Sequence, residues 1–532
     1  MSKTRKGRRP NFLVFLTDQQ QAGMIGCYGH PVVKTRHIDQ IAARGMRFDR
    51  YYVATPSCMP NRASLLTGRM PSAHGLRVNG IPLARDTNTF VDLLLAAGYA
   101  TGIVGKGHLQ PMVNRPPLGV STEETIDRPP GGRRFSEARR PRTGAWSRHE
   151  LDLATMHGRK QPYYGFEHVR LCTGHGDVCG ADYLEWLLAR DPDGLKKMGP
   201  AHALKHDYVC PQAWRTALPA RHYPTTFVAE SAVEYLANRR ETDDDRPFFL
   251  CVSFPDPHHP FTPPGKYWGM YDPKDVPLPA NFHGGANHPP HLAAAYAERR
   301  ADTAKLDGYG AVVLTERETR EAIALTCGMI TMIDDAVGTV MKALAASGEA
   351  DDTVVVFTSD HGDLLGDHGL MLKGPLHYQS LIRVPLVWSD RPAGAAGKAT
   401  ATMASTIDIA PTILERAGIT PYNGIQGRSL LQAIAGASDT DRALLVEDEQ
   451  QGPVLSFEQP TRVRTIVTSR HRLSIYSAAD WGELYDLESD PHELVNLWAD
   501  RGSARIKCAL LERLAHLLMQ TDDTSPAPIR LA

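Results

Sequence analysis

One segment, SCMPNRASLLTG at residues 57–68, decides how the rest of this chain of 532 residues is interpreted. Pro60 suits the first turn of a helix, because its missing N–H would have no partner there, and Gly68 is a suitable C-terminal stop. The segment therefore predicts a helix that begins close to Cys58. Unsatisfied backbone N–H groups and the positive end of the helix dipole would then lower the pKa of the Cys58 thiol. Arg62 lies one turn further along, so its guanidinium would reach the same place.

Four other segments are continuous apolar runs, and each is followed by polar residues of catalytic type. The runs cover residues 12–16, 99–104, 248–254 and 353–358. In the same order, they are followed by Asp18 and Gln19, by Lys106 and His108, by His258, and by Asp360 and His361. Continuous apolar runs are typical of parallel strands that are covered on both faces. Because the carboxyl ends of parallel strands meet at one edge of a sheet, we expect these side chains to share a cleft.

The strand ends also offer ligands for a metal ion. They supply two carboxylates, one amide and one imidazole, from Asp18, Asp360, Gln19 and His361. Two anionic ligands among mixed oxygen and nitrogen donors suit one divalent cation, such as Ca²⁺ or Mn²⁺. Together with a nucleophile at Cys58, this set predicts a metal-assisted hydrolase.

The order of the elements predicts an α/β protein with two parts. Helical periodicity over residues 36–44, 225–239 and 318–346 alternates with the strands, which is typical of a mainly parallel sheet covered by helices. Residues 381–387 predict a fifth strand. After about residue 439, short strand-like runs and a helix over 503–518 predict a smaller α+β subdomain. We therefore divide the chain into a catalytic domain, 1–438, and a C-terminal subdomain, 439–532.

One long stretch, residues 110–222, has poor periodicity and is rich in Arg, Pro, Gly and His. It is too long for a plain loop, so we interpret it as a large insertion that shapes the substrate entrance. Only one helix, near residues 182–189, is predicted within it. Cys172 and Cys179 flank His175 in this stretch, but their spacing matches no common zinc pattern.

Bulk composition argues against several classes of partner. The net charge is −1, which favours neither nucleic acid nor a membrane surface as a partner. The eight cysteines are scattered rather than arranged as a disulfide framework. The basic start of the chain is not followed by the apolar stretch of a signal peptide, and no run is long enough to span a bilayer. We therefore expect a cytoplasmic protein, with homo-oligomerisation left open.

The motifs resemble those of a known family, the type I sulfatases, which depend on formylglycine. Cys58-x-Pro60-x-Arg62 followed by ASLLTG is similar to the first signature of that family, and residues 98–109 are similar to the second. Residues 358–369 with Lys373 resemble its third metal and lysine segment, and residues 483–497 resemble its C-terminal subdomain. The resemblance implies an alkaline-phosphatase-like α/β/α sandwich with a smaller C-terminal α+β subdomain.

The resemblance also implies a role for each matching residue. A formylglycine-generating enzyme would oxidise Cys58 to formylglycine. The metal would be held by Asp18, Gln19, Asp360, His361 and the modified Cys58. Arg62 and Lys106 would fix the formylglycine hydrate, and His108 would take the proton that collapses the covalent ester. His258 and Lys373 would bind the sulfate and assist the leaving oxygen. Asn79 is a candidate substrate-binding residue, for which a structural turn is an equally good interpretation.

Three functions remain open from the sequence. The leading one is hydrolysis of small aryl or alkyl sulfate esters, because Lys106 and His108 match the sulfatase branch. The alternative is a phosphonate monoester or phosphodiester hydrolase, because Gln19 and His361 stand where many sulfatases have Asp and Asn. The third is a metal-bound interaction protein whose cysteine is never converted.

Overall fold

The computed structural model describes residues 9–112, 150, 156–285, 288–301, 310–390 and 397–530. Its strands are β1 (Asn11–Thr17), β2 (Met46–Phe48), β3 (Tyr51–Tyr52), β4 (Ala100–Gly105), β5 (His168–Leu171), β6 (Phe248–Ser253), β7 (Val312–Val313), β8 (Thr353–Ser359), β9 (Leu370–Met371), β10 (Leu386–Ser389), β11 (Lys398–Thr400), β12 (Ala404–Ser405), β13 (Leu444–Glu449), β14 (Arg462–Val467), β15 (His471–Tyr476) and β16 (Gly482–Asp486). Its α-helices are α1 (Arg36–Ala43), α2 (Cys58–Thr67), α3 (Pro71–His74), α4 (Phe90–Ala96), α5 (Asp182–Arg190), α6 (Pro224–Glu241), α7 (Pro290–Arg300), α8 (Glu316–Ala346), α9 (Gln379–Ile382), α10 (Ile409–Arg416), α11 (Leu431–Ile434) and α12 (Ala504–Gln520).

A large sheet of eight strands forms the centre of the protein. The strand order across it is β11-β2-β10-β8-β1-β6-β4-β5. The strands β8, β1, β6, β4 and β5 are all parallel to one another, and β10 runs antiparallel to β8 and β2. The four apolar runs that the sequence predicts as strands are therefore neighbours in space, in the order β8-β1-β6-β4.

The central strand β1 explains why the sheet is covered on both faces. Its side chains alternate between two separate cores: Phe12, Val14 and Leu16 lie in one, while Leu13 and Phe15 lie in the other. All seven residues of β1 are buried. Helices α2, α4 and α10 contribute to the first core, and α1, α6 and α8 contribute to the second. The predicted α/β/α sandwich is thus confirmed.

The C-terminal part contains a second, antiparallel sheet, in the order β13-β14-β15-β16. One face of this sheet packs on α12 through Leu473, Leu484, Leu510 and Leu514. The other face, which includes Tyr485, belongs to the first core of the large sheet. The small sheet therefore lies between α12 and the catalytic part of the chain.

Two expectations about secondary structure need correction. Residues 381–387 do not form one strand, because Gln379–Ile382 is a short helix and the strand begins only at Leu386. The stretch 110–222 contributes a strand, β5, to the edge of the large sheet, which its poor periodicity did not indicate. A strand of four residues is too short to leave a clear pattern in the sequence.

Judged by length and composition alone, helix α8 is long and apolar enough to cross a membrane, so the expectation that no run is long enough to span a bilayer was wrong. Its apolar window is 89% buried inside the protein, where it packs against α6 and α1. This burial is the arrangement expected of a core helix.

Candidate active site

Four parallel strands deliver the polar side chains of the site to one edge of the large sheet. Asp18 follows β1, Lys106 follows β4, His258 follows β6 and Asp360 follows β8. Backbone hydrogen bonds tie these ends together: Asp360 N–H donates to Thr17 O at 3.1 Å, and Lys106 N–H donates to the carbonyl of Ser253 at 2.8 Å. The polar residues that the sequence placed at separate strand ends therefore lie side by side.

The turn after β4 requires a glycine to bring Lys106 into the site. Gly105 has a φ of +97°, and a Cβ atom there would lie only 1.8 Å from the carbonyl oxygen of Ser253. Gln19 and His108 also have positive φ values, 64° and 58°, which non-glycine residues adopt only at a cost. Such backbone strain at two of the predicted site residues is typical of functional positions.

Cys58 is the first residue of α2, as the sequence predicts. Ser57 before it is extended, and the helix ends at Gly68, whose φ of 66° is left-handed. The Cys58 Sγ atom lies 3.0 Å from Lys373 Nζ, 3.0 Å from His361 Nε2 and 3.9 Å from Asp18 Oδ1. Burial raises the pKa of the thiol, but Lys373 and other positive groups outweigh burial and bring the pKa down to about 7.

Arg62 holds the two central carboxylates together. Its guanidinium donates to Asp360 Oδ2 at 2.7 Å and to Asp18 Oδ2 at 3.2 Å. It also donates to the carbonyl of Lys106 at 2.9 Å and to Ser253 Oγ at 2.8 Å. The side chain is almost wholly buried, so this arrangement neutralises charge in a place that excludes water.

Lys106 lies close to three histidines, of which His108 and His258 are buried and His175 is partly buried. Lys106 Nζ donates to Asp18 Oδ2 and contacts His175 Nε2 at 2.7 Å. The ring of His175 stacks on the ring of His258, with centroids 3.6 Å apart and planes within 9°. Burial, reinforced by Lys106, lowers the pKa of His175 and of His108 well below the ordinary value. Burial and His175 do the same to the pKa of His258, so these imidazoles are neutral near pH 7.

The donor set at the centre fits a divalent cation. Ligand atoms of Asp18, Cys58, Asp360 and His361 all lie within 4.8 Å of one another. His361 Nδ1 donates to the carbonyl of Gly362 at 2.8 Å, which directs the lone pair of Nε2 into the cluster. Two carboxylates and one imidazole that point at a common centre are ligands that Ca²⁺ or Mn²⁺ accepts.

Gln19 strengthens this fit. Its amide nitrogen donates to Asp363 Oδ2 at 2.5 Å and contacts His259 Nδ1 at 3.0 Å. The side-chain oxygen is buried and has no hydrogen-bond partner in the described part of the chain. A buried acceptor without a donor is costly unless a ligand satisfies it, and a metal ion would do so.

Three further predicted residues, Lys373, His108 and Asn79, have distinct surroundings. Lys373 Nζ contacts His258 Nε2 at 3.4 Å and His361 Nε2 at 3.1 Å, in addition to the Cys58 thiol. His108 is buried and its Nδ1 has no hydrogen-bond partner among the described residues. Asn79 Oδ1 accepts a hydrogen bond from the backbone N–H of Met59 at 3.1 Å, so this oxygen stabilises the start of α2.

The sequence missed several residues that build the site. His175 comes from the stretch 110–222, where flanking glycines and cysteines gave no indication of its position. Glu150 comes from the same stretch: it is fully buried and accepts hydrogen bonds from the backbone N–H groups of His108, Leu109 and Gln110. His259 was also missed, but the sequence could have indicated it, because it directly follows the predicted site residue His258.

Comparisons with known proteins agree with this geometry. The family model described as "Sulfatase" matches residues 10–419, and the model described as "N-sulphoglucosamine sulphohydrolase, C-terminal" matches residues 366–520. An arylsulfatase from Clostridium perfringens is 27% identical over 497 residues, which cover 92% of this chain and 90% of that relative. A multifunctional alkaline phosphatase superfamily protein from Trinickia caryophylli is 29% identical over 541 residues, which cover 96% of each chain.

Solved structures share the fold across nearly the whole chain. The crystal structure of the phosphonate monoester hydrolase of Agrobacterium radiobacter matches with a TM-score of 0.75 and 25% identity, covering 98% of each chain. The match extends through both the large sheet and the C-terminal sheet.

Proposed function

Because this chain belongs to the sulfatase family, we propose that it hydrolyses sulfate monoesters through a formylglycine hydrate formed from Cys58. One observation carries the proposal: Cys58 stands at the start of α2 within 4.8 Å of ligand atoms from two carboxylates and an imidazole, and a lysine contacts its sulfur. A sulfate ester carries negative charge that repels nucleophiles, so a hydrolase for it needs several cationic groups around the nucleophile. Lys106, Lys373 and Arg62 provide them.

The nucleophile is made by a separate maturation step. A formylglycine-generating enzyme would oxidise Cβ of Cys58 to an aldehyde, with an external oxidant such as dioxygen and a reductant, and would release the sulfur as hydrogen sulfide. Water then adds to the aldehyde to give a hydrate with two hydroxyl groups. The positive charges of the buried Arg62 and Lys106 side chains would favour the deprotonated hydroxyl that attacks.

The metal site would be filled by one Ca²⁺ or Mn²⁺ ion, held by Asp18, Asp360, His361 and the orphaned oxygen of Gln19. When bound, the ion supplies positive charge that neutralises the sulfate oxygens and acidifies the hydrate. Arg62 remains necessary in that state, because it fixes the two carboxylates in the orientation that the ion needs.

The first chemical step forms a bond between one hydrate oxygen and sulfur, and it breaks the bond between sulfur and the alcohol oxygen. Lys373, whose Nζ lies 3.0 Å from the Cys58 sulfur and 3.4 Å from His258 Nε2, would assist the departing oxygen together with His258. His258 Nδ1 is directed at the carbonyl of His259, so its Nε2 accepts from Lys373 rather than donating. The lysine therefore supplies the hydrogen bond that stabilises the leaving alkoxide.

The second step releases sulfate without an attack of water on sulfur. The remaining hydroxyl of the hydrate loses its proton, the bond between carbon and the sulfate oxygen breaks, and the aldehyde returns. His108 is suited to take this proton, because burial keeps the imidazole neutral and its Nδ1 is without a partner among the described residues. One water molecule is consumed per turnover when the aldehyde is hydrated again.

A second candidate function is hydrolysis of phosphonate monoesters or phosphodiesters. It is favoured by Gln19 and His361 at the metal site, and by the structural likeness to the Agrobacterium enzyme. Because the same nucleophile and metal serve both reactions, the geometry around Cys58 does not separate them. Lys106 and His108 favour the sulfate reaction.

A paired assay distinguishes the two functions. The protein is co-expressed with a formylglycine-generating enzyme, and kcat/KM is measured for 4-nitrophenyl sulfate, a 4-nitrophenyl phosphonate monoester and a phosphodiester. We expect the highest kcat/KM for the sulfate ester and no turnover by Cys58→Ala. Turnover of the phosphonate or the diester without release of sulfate would establish the second candidate instead.

A further inference from the structure

The contacts of His175 point to a role that the family resemblance does not assign. His175 lies between β5 and α5, in the stretch 110–222, to whose individual residues the sequence assigned no role. Its side chain is about one-sixth exposed, and Asp18 Oδ2 lies 3.9 Å from its Nε2 atom. Its two closest neighbours in the site are Lys106 and His258. These two residues belong to different strand ends, so His175 bridges two parts of the site.

The loop that carries His175 is fixed against the segment that carries His258. Gly176 has a φ of +53°, and a Cβ atom there would lie 2.8 Å from both Pro260 and Thr262. The backbone N–H of Asp177 donates to Thr262 Oγ1 at 3.1 Å. Residues 173 and 180 pair across the base of the loop. The loop is therefore built to press closely on residues 258–262.

The hydrogen bond between Lys106 and His175 has a defined direction. A lysine ammonium has only hydrogens to offer, so His175 Nε2 must be the acceptor at 2.7 Å. Lys106 Nζ also donates to Asp18 Oδ2. With both acceptors in place, two of the three ammonium hydrogens are used, and the group has one defined position.

The stacking of His175 on His258 fixes a second group. The two rings are nearly parallel, with centroids 3.6 Å apart. The opposite side of His258 meets His259, with centroids 4.0 Å apart. The ring of His258 is thus sandwiched between two imidazoles, in the orientation that presents Nε2 to Lys373.

We propose that His175 is a positioning residue, which holds Lys106 against Asp18 with its Nε2 atom and holds His258 beside Lys373 with its ring. This inference rests on the proposed function, because it concerns the groups that would fix the hydrate and assist the leaving oxygen. Its two contacts serve two different steps. The contact with His258 serves departure of the alcohol, and the contact with Lys106 serves the hydrate.

Three substitutions separate the two contacts. His175→Phe keeps a ring for stacking but removes the acceptor for Lys106. His175→Gln keeps an acceptor of similar reach but removes the ring. His175→Ala removes both, and His202→Ala, an exposed histidine of the same stretch, is the matched control. Thermal melting of each variant verifies that the fold is retained.

The activity test compares two esters of the same acid that differ in their leaving group, 4-nitrophenyl and phenyl. Assistance to the leaving oxygen matters more for the poorer leaving group, phenyl. For His175→Gln we expect kcat/KM to fall about tenfold further on the phenyl ester than on the 4-nitrophenyl ester, which is within the loss of up to about 10²-fold that misplacement by about 1 Å can cause. For His175→Phe we expect an equal fall on both esters. If His175→Gln and His175→Phe each lowered kcat/KM equally on the two esters, the role of His175 would be merely structural and the proposal would be overturned.

Failure of the proposed function is distinguishable from failure of this inference. The unaltered enzyme shows which acid it releases, and the two leaving groups are then compared on esters of that acid. A crystal structure of His175→Ala gives a readout that needs no activity. We expect the ring of His258 to rotate or shift away from Lys373, and a ring that keeps its place would contradict the proposal.

Discussion

Removal of the Arg62 guanidinium should destabilise the protein strongly, and the effect should depend on the metal. Arg62 makes ion pairs of 2.7 Å with Asp360 and 3.2 Å with Asp18, and all three side chains are at most 3% exposed. In Arg62→Met the two carboxylates stay buried beside each other. Asp18 keeps its ion pair with Lys106, but Asp360 loses the guanidinium that neutralises it.

The expected magnitude follows from the burial of these groups. Loss of one partner from a buried ion pair destabilises proteins by about 3–5 kcal/mol, because the remaining charge is desolvated and unpaired. Lys196→Met is the control: Lys196 pairs with Asp193 at 2.7 Å, but both side chains are more than half exposed. Such an exposed pair contributes about 0–1 kcal/mol.

The assay is denaturant unfolding in the presence of a chelator and then with excess Mn²⁺ or Ca²⁺. We expect Arg62→Met to lose about 3–5 kcal/mol of unfolding free energy without metal and distinctly less with metal, because a bound cation neutralises the same carboxylates. A loss no larger than that of Lys196→Met in the chelator would refute the reasoning about Arg62. A loss that metal does not reduce would refute the placement of the metal between these carboxylates.

The remaining predictions concern other parts of the site. Lys373→Ala should lower kcat/KM by about 10²–10³, because the lysine contacts the nucleophile and stabilises charge in the transition state, and steady-state kinetics against Lys196→Ala measures this. Chelation should abolish activity, and added Mn²⁺ or Ca²⁺ should restore it. Restoring the activity of Gln19→Ala should require a higher metal concentration than restoring that of the unaltered protein. The same metal requirement in both proteins would exclude the amide oxygen of Gln19 as a ligand. Glu150→Ala leaves three buried N–H groups around His108 without their acceptor, and we expect a loss of about 1–3 kcal/mol in unfolding free energy together with a lower kcat. A normal kcat in a folded Glu150→Ala protein would show that the loop of His108 does not depend on this carboxylate.

Local signals in the sequence were sufficient for the main sheet and for the nucleophile helix. The apolar runs of β1, β4, β6 and β8 are long and are bounded by polar residues, so the sequence predicted both that they are strands and that they run parallel. The helix that begins at Cys58 could be predicted from Pro60 in its first turn and Gly68 at its end. The edge strand β5 could not be predicted, because four residues with one buried face are too few to form a recognisable pattern.

Long-range contacts explain why the other features of the site could not be predicted from the sequence. The helix N-terminus predicted a lowered pKa for Cys58, but the strongest favourable charge comes from Lys373, 315 residues further along the chain. His175 and Glu150 act through contacts with residues near 106–110 that only the folded chain creates. Polar side chains in an aperiodic stretch carry no local sign of such contacts, because the same residues are common on exposed loops.

The most direct test of the proposed mechanism is peptide mass spectrometry of the tryptic fragment 51–62, which contains Cys58, from protein co-expressed with a formylglycine-generating enzyme. We predict loss of the sulfur and appearance of the aldehyde at residue 58, in the same preparation that releases sulfate from an aryl sulfate. An unmodified thiol at residue 58 in a preparation that is fully active would contradict the account, because Cys58 would then not act through formylglycine.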